Sequence, residues 1–164
     1  IFYNNLVGLR QRVNNAWAQI DVQLKRRFDL IPNLVETVKG YASHEREVFQ
    51  RVTEARAKVA TAQSIDDQIQ AQTTLGGALR GLLAVAENYP ELKANTNFKE
   101  LQTELSNTES KIAFSRQFYN DTVQKYMTAI QRFPANLLAN AFGFHPMAYF
   151  EAVPESRGPV EVRF

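Results

Sequence analysis

The chain has 164 residues, enough for one domain with a sizeable core, and its 45% hydrophobic and 22% charged residues are typical of a globular protein. Nineteen basic side chains against seventeen acidic ones leave a net charge of only +2, which gives no support to nucleic-acid binding. The absence of cysteine excludes disulfides and thiolate chemistry.

The N-terminal stretch, IFYNNLVGL, is apolar and aromatic. Because the sequence begins with Ile1 and not with Met, we expect that a segment was removed in front of it. No run of eighteen or more apolar residues is present, so the chain as given is expected to be soluble by itself. Ile1 and Phe2 could be the stub of a membrane helix with Tyr3 at the interface, or the frayed terminus of a trimmed domain.

Apolar residues recur three and four positions apart along most of the chain, which predicts an all-α protein. A first helix is predicted to end near Phe28. Asp29 stands three residues before Pro32 and is the predicted N-cap of a second helix over about residues 31–62. The segment FDLIP would then be a corner between two helices, and Gly40 a tolerated weak point inside the second one.

The sequence SIDD, which begins at Ser64, is the predicted N-cap of a third helix that runs to Tyr89 and stops at Pro90. Three glycines in its LGGALRG segment predict a kink or a close helix contact. A fourth helix, capped by Asn95 or Thr96, is predicted to run to Phe133. Large residues occupy every seventh position of this helix, namely Phe98, Leu105, Ile112, Tyr119, Tyr126 and Phe133. This repeat favours antiparallel packing, and the length of the helix favours an elongated bundle.

The C-terminal part predicts one short helix, ANLLANAFGF, and then an extended arm that is rich in aromatic residues and interrupted by prolines, with VEVRF as a strand-like end. The predicted fold is therefore an all-α, elongated antiparallel bundle of four long helices, plus a short C-terminal helix and an extended arm. Residues 1–144 would form the bundle, and residues 145–164 an arm packed on it within the same domain.

No catalytic, cofactor or metal site is predicted. His44 lacks a second histidine one turn later, since position 48 is valine, and no Glu-x-x-His motif of a di-iron bundle is present. A Gly-x-Ser-x-Gly elbow and a phosphate-binding loop are also missing. Glu45, Glu104 and Glu109 could supply paired carboxylates, but charged residues of a bundle are more often paired structural groups.

Five polar residues are predicted to have structural roles: Asp29, Glu45, Glu109, Ser115 and Arg116. Glu45 falls on the apolar stripe of the second predicted helix, and Ser115 on that of the fourth, next to Arg116. Both helix middles are close to these residues, so Glu45 is expected to be partly buried and paired with a cation or with hydrogen-bond donors, with Arg116 as the first choice. Fixing the helix register is the favoured role, with a ligand site as the alternative.

Three segments carry a specific pattern. They are YNNLVGLRQRVNNAWAQIDVQLKRRFDLIPNLVETVKGYASHEREVFQRVTEARAKV from Tyr3 to Val59, ELSNTESKIAFSRQFYNDTVQKY from Glu104 to Tyr126, and FPANLLANAFGF from Phe133 to Phe144. This pattern closely resembles the LemA family of bacterial proteins over nearly the whole chain. The resemblance implies a long antiparallel helical bundle and a transmembrane helix directly before Ile1. The family has no established enzymatic activity, so the resemblance brings no catalytic residues.

These observations favour a non-enzymatic, membrane-tethered scaffold or protein-interaction module. A single-pass anchor would hold the bundle outside the bilayer of the cell membrane, and the partners would be the membrane and unidentified proteins, without nucleic acid or cofactor. Five basic against two acidic residues among the first thirty favour the cytoplasmic side. One alternative is a ligand-binding module with an apolar pocket under the arm, lined by Phe142, Phe144, Tyr149 and Phe150. Another is an enzyme that uses the three glutamates named above.

Overall fold

The computed structural model describes residues 1–151, and every regular element within them is helical. The six helices are α1 (Phe2–Lys39), α2 (Arg46–Thr61), α3 (Ile65–Ala86), α4 (Pro90–Ala94), α5 (Thr96–Gln131) and α6 (Ala135–Phe142). The predicted all-α class is confirmed. The predicted strand-like end, VEVRF, lies outside the described residues.

The predicted corner at Asp29 is wrong, because α1 passes through Pro32 without ending. The buried stripe of α1 continues across this point with Leu24, Ile31 and Leu34, so burial favours an unbroken helix. Proline lacks the N–H that would bond the carbonyl four residues earlier, which belongs to Phe28. Arg56 supplies the missing donor, since its Nε donates to the Phe28 carbonyl oxygen at 3.2 Å.

The chain turns instead at residues 40–45, so the predicted second helix over residues 31–62 is divided. Gly40, expected inside a helix, directly follows the end of α1. Glycine is unfavourable in a helix by roughly 1 kcal/mol relative to alanine, and the turn offers replacement contacts. Ala42 is buried, and the Tyr41 hydroxyl accepts a hydrogen bond from the Asn95 side chain at 2.9 Å. The turn, and not the proline, therefore separates the first two helices.

The described residues form two compact units. Unit 1 contains residues 1–23 and 111–151, and unit 2 contains residues 24–110. The two long helices α1 and α5 contribute residues to both units. The predicted division into a bundle over 1–144 and an arm over 145–164 stays a prediction.

The core of unit 2 is built from the buried stripes of α1, α2 and α3, with α4 and the first turns of α5. Ser64 is the N-cap of α3 as predicted, since its hydroxyl accepts from the Asp67 backbone N–H at 3.0 Å. Asn95 caps α5 through its side-chain oxygen, which accepts from the Phe98 N–H at 2.9 Å. The third predicted helix is shorter than expected, because α3 ends at Ala86 and Pro90 begins α4.

The glycines of α3 do not make the predicted close contact at Gly81, where an added Cβ would meet no atom within 4 Å. Gly77 and Gly81 instead line a surface groove of about 470 Å³ between α2 and α3. The missing side chains open this groove.

The core of unit 1 lies between α1, α5 and α6. Its buried residues are Leu6, Val13, Ala16 and Ile20 from α1, and Ile112, Tyr119, Val123, Tyr126 and Ile130 from α5. The seven-residue repeat of α5 is buried from Phe98 to Tyr126, whereas Phe133, its last member, is 80% exposed. The repeat thus ends with the helix.

Residues 144–150 are held against α5 by hydrogen bonds. The Tyr119 hydroxyl donates to the Ala148 carbonyl at 2.9 Å, and the Tyr126 hydroxyl donates to the His145 carbonyl at 2.8 Å. The Asn120 side chain exchanges two bonds of 2.8 Å with the backbone of Phe150. The described part of the predicted arm is therefore packed, and residues 152–164 lie outside the described residues.

Asp29 and Ser64 were both predicted to be N-caps, but we expect their substitution by alanine to change the free energy of unfolding by different amounts. Ser64→Ala removes an N-cap bond and should lower the free energy of unfolding by about 1 kcal/mol. Asp29→Ala changes an exposed residue inside α1 and should alter it by less than about 0.5 kcal/mol. Urea unfolding of both variants measures the difference, and an equal loss would contradict the continuous helix.

Candidate functional site

Arg27 is a charged side chain in the core of unit 2, only 4% exposed. It lies on the buried stripe of α1, seven residues before Leu34. Its Nη1 donates to both carboxylate oxygens of Glu109 on α5 at 3.2 Å. Its Nη2 donates to the backbone oxygen of Gln72 at 3.0 Å and to the side-chain oxygen of the same residue at 2.8 Å. One guanidinium therefore joins α1, α3 and α5.

A buried guanidinium is stable only when acceptors replace its lost water. Four acceptor contacts reach its two terminal nitrogens, while Nε has no hydrogen-bond partner among the described residues. The side chain of Glu109 remains 40% exposed, which reduces the desolvation cost of the pair. The planar fork of arginine fixes direction as well as charge, so this arrangement sets the register of α1 against α3 and α5.

The network extends from Gln72 to the end of α2. The Gln72 side-chain amide donates to the Gln68 oxygen at 3.2 Å. The Gln68 amide donates in turn to the carbonyls of Val59 and Ala62 at 3.0 and 3.1 Å. The last carbonyls of a helix have no partner within that helix, and Gln68 satisfies two acceptors at this terminus.

A second polar cluster joins the turn before α2 to the end of α3. The Tyr89 hydroxyl donates to Glu45 Oε2 at 3.1 Å and lies 2.8 Å from His44 Nε2. Glu45 is partly buried and accepts from a hydrogen-bond donor, as predicted, but the donor is Tyr89 and not Arg116, the first choice. The physical reason is that the turn at residues 40–45 takes Glu45 out of the helix on which that pairing was based.

The protonation of Tyr89 follows from this environment. Partial burial, together with the hydrogen bond and the negative charge of Glu45, raises the pKa of Tyr89 above its ordinary value of 10.0. The hydroxyl is therefore protonated at neutral pH and acts as a hydrogen-bond donor between two chain segments.

The other predicted polar residues lie elsewhere. Asp29 is exposed on α1, while Ser115 and Arg116 are half-buried on α5 in unit 1. Of the five predicted structural residues, Glu109 belongs to the Arg27 network and Glu45 to the Tyr89 cluster.

The three glutamates considered for catalysis are not brought together. Glu109 faces Arg27, Glu45 faces Tyr89, and Glu104 is exposed. Within residues 1–151, no three His, Asp or Glu side chains are grouped so that they could hold a metal ion. The polar arrangement therefore fits the joining of helices better than acid–base chemistry.

Sequence reasoning missed Arg27, Gln72 and Tyr89. A signal existed for Arg27, because it follows Leu6, Val13 and Ile20 in steps of seven along the stripe of α1. A charged residue at such a position predicts a buried pair. Nothing comparable marked Gln72 or Tyr89, whose roles depend on which helices meet.

The surface of unit 1 has an exposed aromatic pair on α5. Phe114 is 77% exposed, and Phe118, one turn later, is 47% exposed. Phe118 also lines a surface groove of about 420 Å³ with Arg12, Asn15, Gln19 and Lys125. Val22, 64% exposed, continues the row of α1 residues that forms this wall. We call Val22, Phe114 and Phe118 the apolar patch.

The fold and these networks define an all-helical protein whose interior polar groups join its helices. None of the helices within residues 1–151 is both long and apolar enough to cross a membrane. Residues 16–164 match the model of the LemA family, and the chain belongs to that family. The resemblance found from the sequence is therefore confirmed.

Named relatives agree with this assignment. The chain is 26% identical over 184 residues to magnetosome protein MamQ 2 of Paramagnetospirillum magneticum, an alignment that covers 96% of this chain and 68% of the relative. Magnetosome protein MamQ of Magnetospirillum gryphiswaldense is 25% identical over 184 residues with the same coverage. Protein LemA of Metamycoplasma hominis is 26% identical over 162 residues, covering 96% of this chain and 73% of the relative.

Two substitutions of Arg27 should separate the contribution of its charge to stability from the contribution of its packing. Arg27→Ala removes the donor to the Gln72 side-chain oxygen, leaves Glu109 without its cation and opens a cavity, so we expect a loss of about 3 kcal/mol in unfolding free energy. Arg27→Met refills the volume, and the partly exposed Glu109 can be hydrated, so about half that loss is expected. Denaturant unfolding measures both.

The matched control is the exposed neighbour Arg26, whose replacement by alanine should change the unfolding free energy by less than about 0.5 kcal/mol. Equal effects of Arg26→Ala and Arg27→Ala would show that the buried network does not stabilise unit 2.

The raised pKa of Tyr89 predicts a dependence on alkaline pH. Its stabilising contribution is fully present below the unfolded pKa of about 10 and is lost as the pH rises through the folded pKa. Tyr89→Phe lacks the ionisable hydroxyl, so the advantage of wild type over this variant should be constant below about pH 10 and shrink above it. Urea unfolding at a series of pH values tests this, and Tyr126, unchanged in both proteins, cancels in the comparison. A difference that grows above pH 10 would refute the assignment.

Proposed function

We propose that this protein is a membrane-tethered, non-enzymatic scaffold whose helical surface binds protein partners. Membership in the LemA family supports association with a membrane. The names of the relatives specify no reaction. In this proposal a single transmembrane helix in front of the described residues anchors the protein in the cell membrane. The excess of basic residues near the start of the chain supports a bundle on the cytoplasmic side.

The observation that carries the proposal is the apolar patch. Two phenylalanines one turn apart on the outside of α5, with an exposed valine on α1, place large apolar side chains in water. Clusters of this kind mark interaction sites, and aromatic residues dominate the binding energy of many protein interfaces.

The neighbouring groove indicates the kind of partner. Arg12 and Lys125 lie in its wall, and none of the side chains that line it is acidic. A protein segment that places an apolar side chain on the patch and acidic side chains over the groove fits both features. The partner is therefore proposed to be acidic near its contact residues.

The alternative of a ligand pocket under the C-terminal arm has less support. Phe144 and Phe150 are each 4% exposed. Phe144 packs on Tyr3, and Phe150 packs on Trp17. These rings fill the space that a ligand would need. Phe142 and Tyr149, the other two residues of the predicted lining, are exposed.

Photo-crosslinking in membranes tests the proposal. The complete gene product, carrying a photoreactive phenylalanine analogue at position 114, should be recovered with membranes and crosslink to a discrete partner. The same group at the exposed position 124 on α5 is the control and should not give that product. Phe118→Ala should weaken the product from position 114 at least about tenfold, since hot-spot truncation commonly costs more than 1.4 kcal/mol.

Two results would contradict the proposal. Identical products from positions 114 and 124 would show that the patch has no special role. Recovery of the complete protein in the soluble fraction without detergent would remove the tether.

A further inference from the structure

Large apolar side chains are exposed together at one end of unit 1. The ring of Tyr3, in the first turn of α1, lies 5.1 Å from the ring of Phe142 at the end of α6. A groove lined by Asn5 and Ala129 places the last turn of α5 beside the same part of α1. We call the exposed residues here the apolar end: Phe2, Tyr3, Phe133, Leu137 and Phe142.

The short helix α6 buries small residues and exposes large apolar ones, which is the reverse of the usual arrangement. Its buried residues are Ala135 and Ala139, whereas its large Leu137 and Phe142 are more than half exposed. The inward-facing Asn136 has a buried side-chain oxygen without a hydrogen-bond partner among the described residues. Helices of water-soluble proteins bury their large apolar residues, so α6 presents a face that suits a non-aqueous neighbour.

The apolar end lies in chain segments without acidic residues, since residues 1–20 and 122–150 contain no aspartate or glutamate. The same segments contain four basic residues. Arg12 and Lys125 line the groove beside the apolar patch, whereas Arg132 is exposed and directly precedes Phe133. Arg10 lies over the ring of Phe144, 4.4 Å from its centroid. Aromatic and aliphatic side chains surrounded by cations without acidic residues are complementary to anionic lipid headgroups over an acyl region.

We propose that the apolar end rests in the interface of a lipid bilayer that contains anionic lipids. The rings of Phe2, Tyr3 and Phe142 lie at the level of the headgroups, Leu137 and Phe133 reach the acyl boundary, and Arg132 meets lipid phosphates. This inference rests on the proposed membrane location and adds a second contact, independent of any transmembrane anchor. It fixes which end of unit 1 faces the bilayer.

Vesicle sedimentation with the 164-residue chain tests this contact. The probe is a vesicle of equimolar phosphatidylcholine and phosphatidylglycerol, and a vesicle of phosphatidylcholine alone is the comparison. Wild type should bind the anionic vesicle more tightly than the neutral one. The double variant Phe133→Ser, Leu137→Ser should bind it at least about tenfold more weakly, because two exposed apolar side chains lose their burial in lipid.

Phe114→Ser is the matched control. Phe114 is 77% exposed and Phe133 is 80% exposed, so the two substitutions remove the same residue type at equal accessibility. The control should keep wild-type vesicle binding, and circular dichroism should show unchanged helicity in all variants. Equal weakening by the control, or no binding of wild type to anionic vesicles, would overturn the inference.

Tryptophan fluorescence provides a second test, in which the expected result is a new signal on binding and not a weaker interaction. Leu137→Trp should shift its emission to the blue on anionic vesicles and be quenched by brominated lipid acyl chains, whereas Phe114→Trp should show neither change. Quenching of the tryptophan at position 114 but not of the one at position 137 would overturn the proposal. A dimer in solution that covers the apolar end, and that the double variant does not form, would also overturn it. If vesicle binding fails while the complete protein stays in membranes and crosslinks from position 114, this contact is refuted and the tethered scaffold stands.

Discussion

The packing of unit 2 depends on the hydrogen-bond acceptors that surround one buried positive charge. Arg27 occupies a position of α1 where burial would favour an apolar residue, and it therefore requires acceptors from whatever packs against it. Glu109 and Gln72 provide them from two other helices. A shift of one residue in α3 or α5 would leave the guanidinium without these oxygens, so the cost of an unpaired charge selects one register among those that apolar stripes alone would allow.

A similar need for a partner explains how α1 continues through Pro32. The carbonyl of Phe28 loses its helical donor to the proline ring, and Arg56 on α2 replaces that donor. The guanidinium of Arg56 also lies over the ring of Phe28, 3.8 Å from its centroid. Two arginines thus bring hydrogen-bond donors to acceptor groups in the interior of unit 2, which accounts for its buried polar contacts.

The surface of unit 1 contains two separate apolar features, and their surroundings differ. The apolar patch on α1 and α5 adjoins a basic groove suited to an acidic protein segment. The apolar end combines an outward-facing α6 with segments that contain no acidic residue, which suits a lipid surface. A scaffold held at a membrane needs one surface for the bilayer and another for its partner, and these features supply a candidate for each.

The sequence by itself determined the helical class, the cap at Ser64, a cap at Asn95 or Thr96, and the buried repeat of α5, because these follow from local hydrogen bonding and periodicity. It also determined the family, through the three segments that carry the family pattern. Glu109 was also found as a structural residue, although its partner was not. The tertiary structure decided the rest. Proline signals a helix boundary only when no distant donor replaces its N–H, and Arg56 is 28 positions away from Phe28 in the chain. The partners of Arg27 and Glu45 are 82, 45 and 44 positions distant, so only the packing of whole helices brings them into contact.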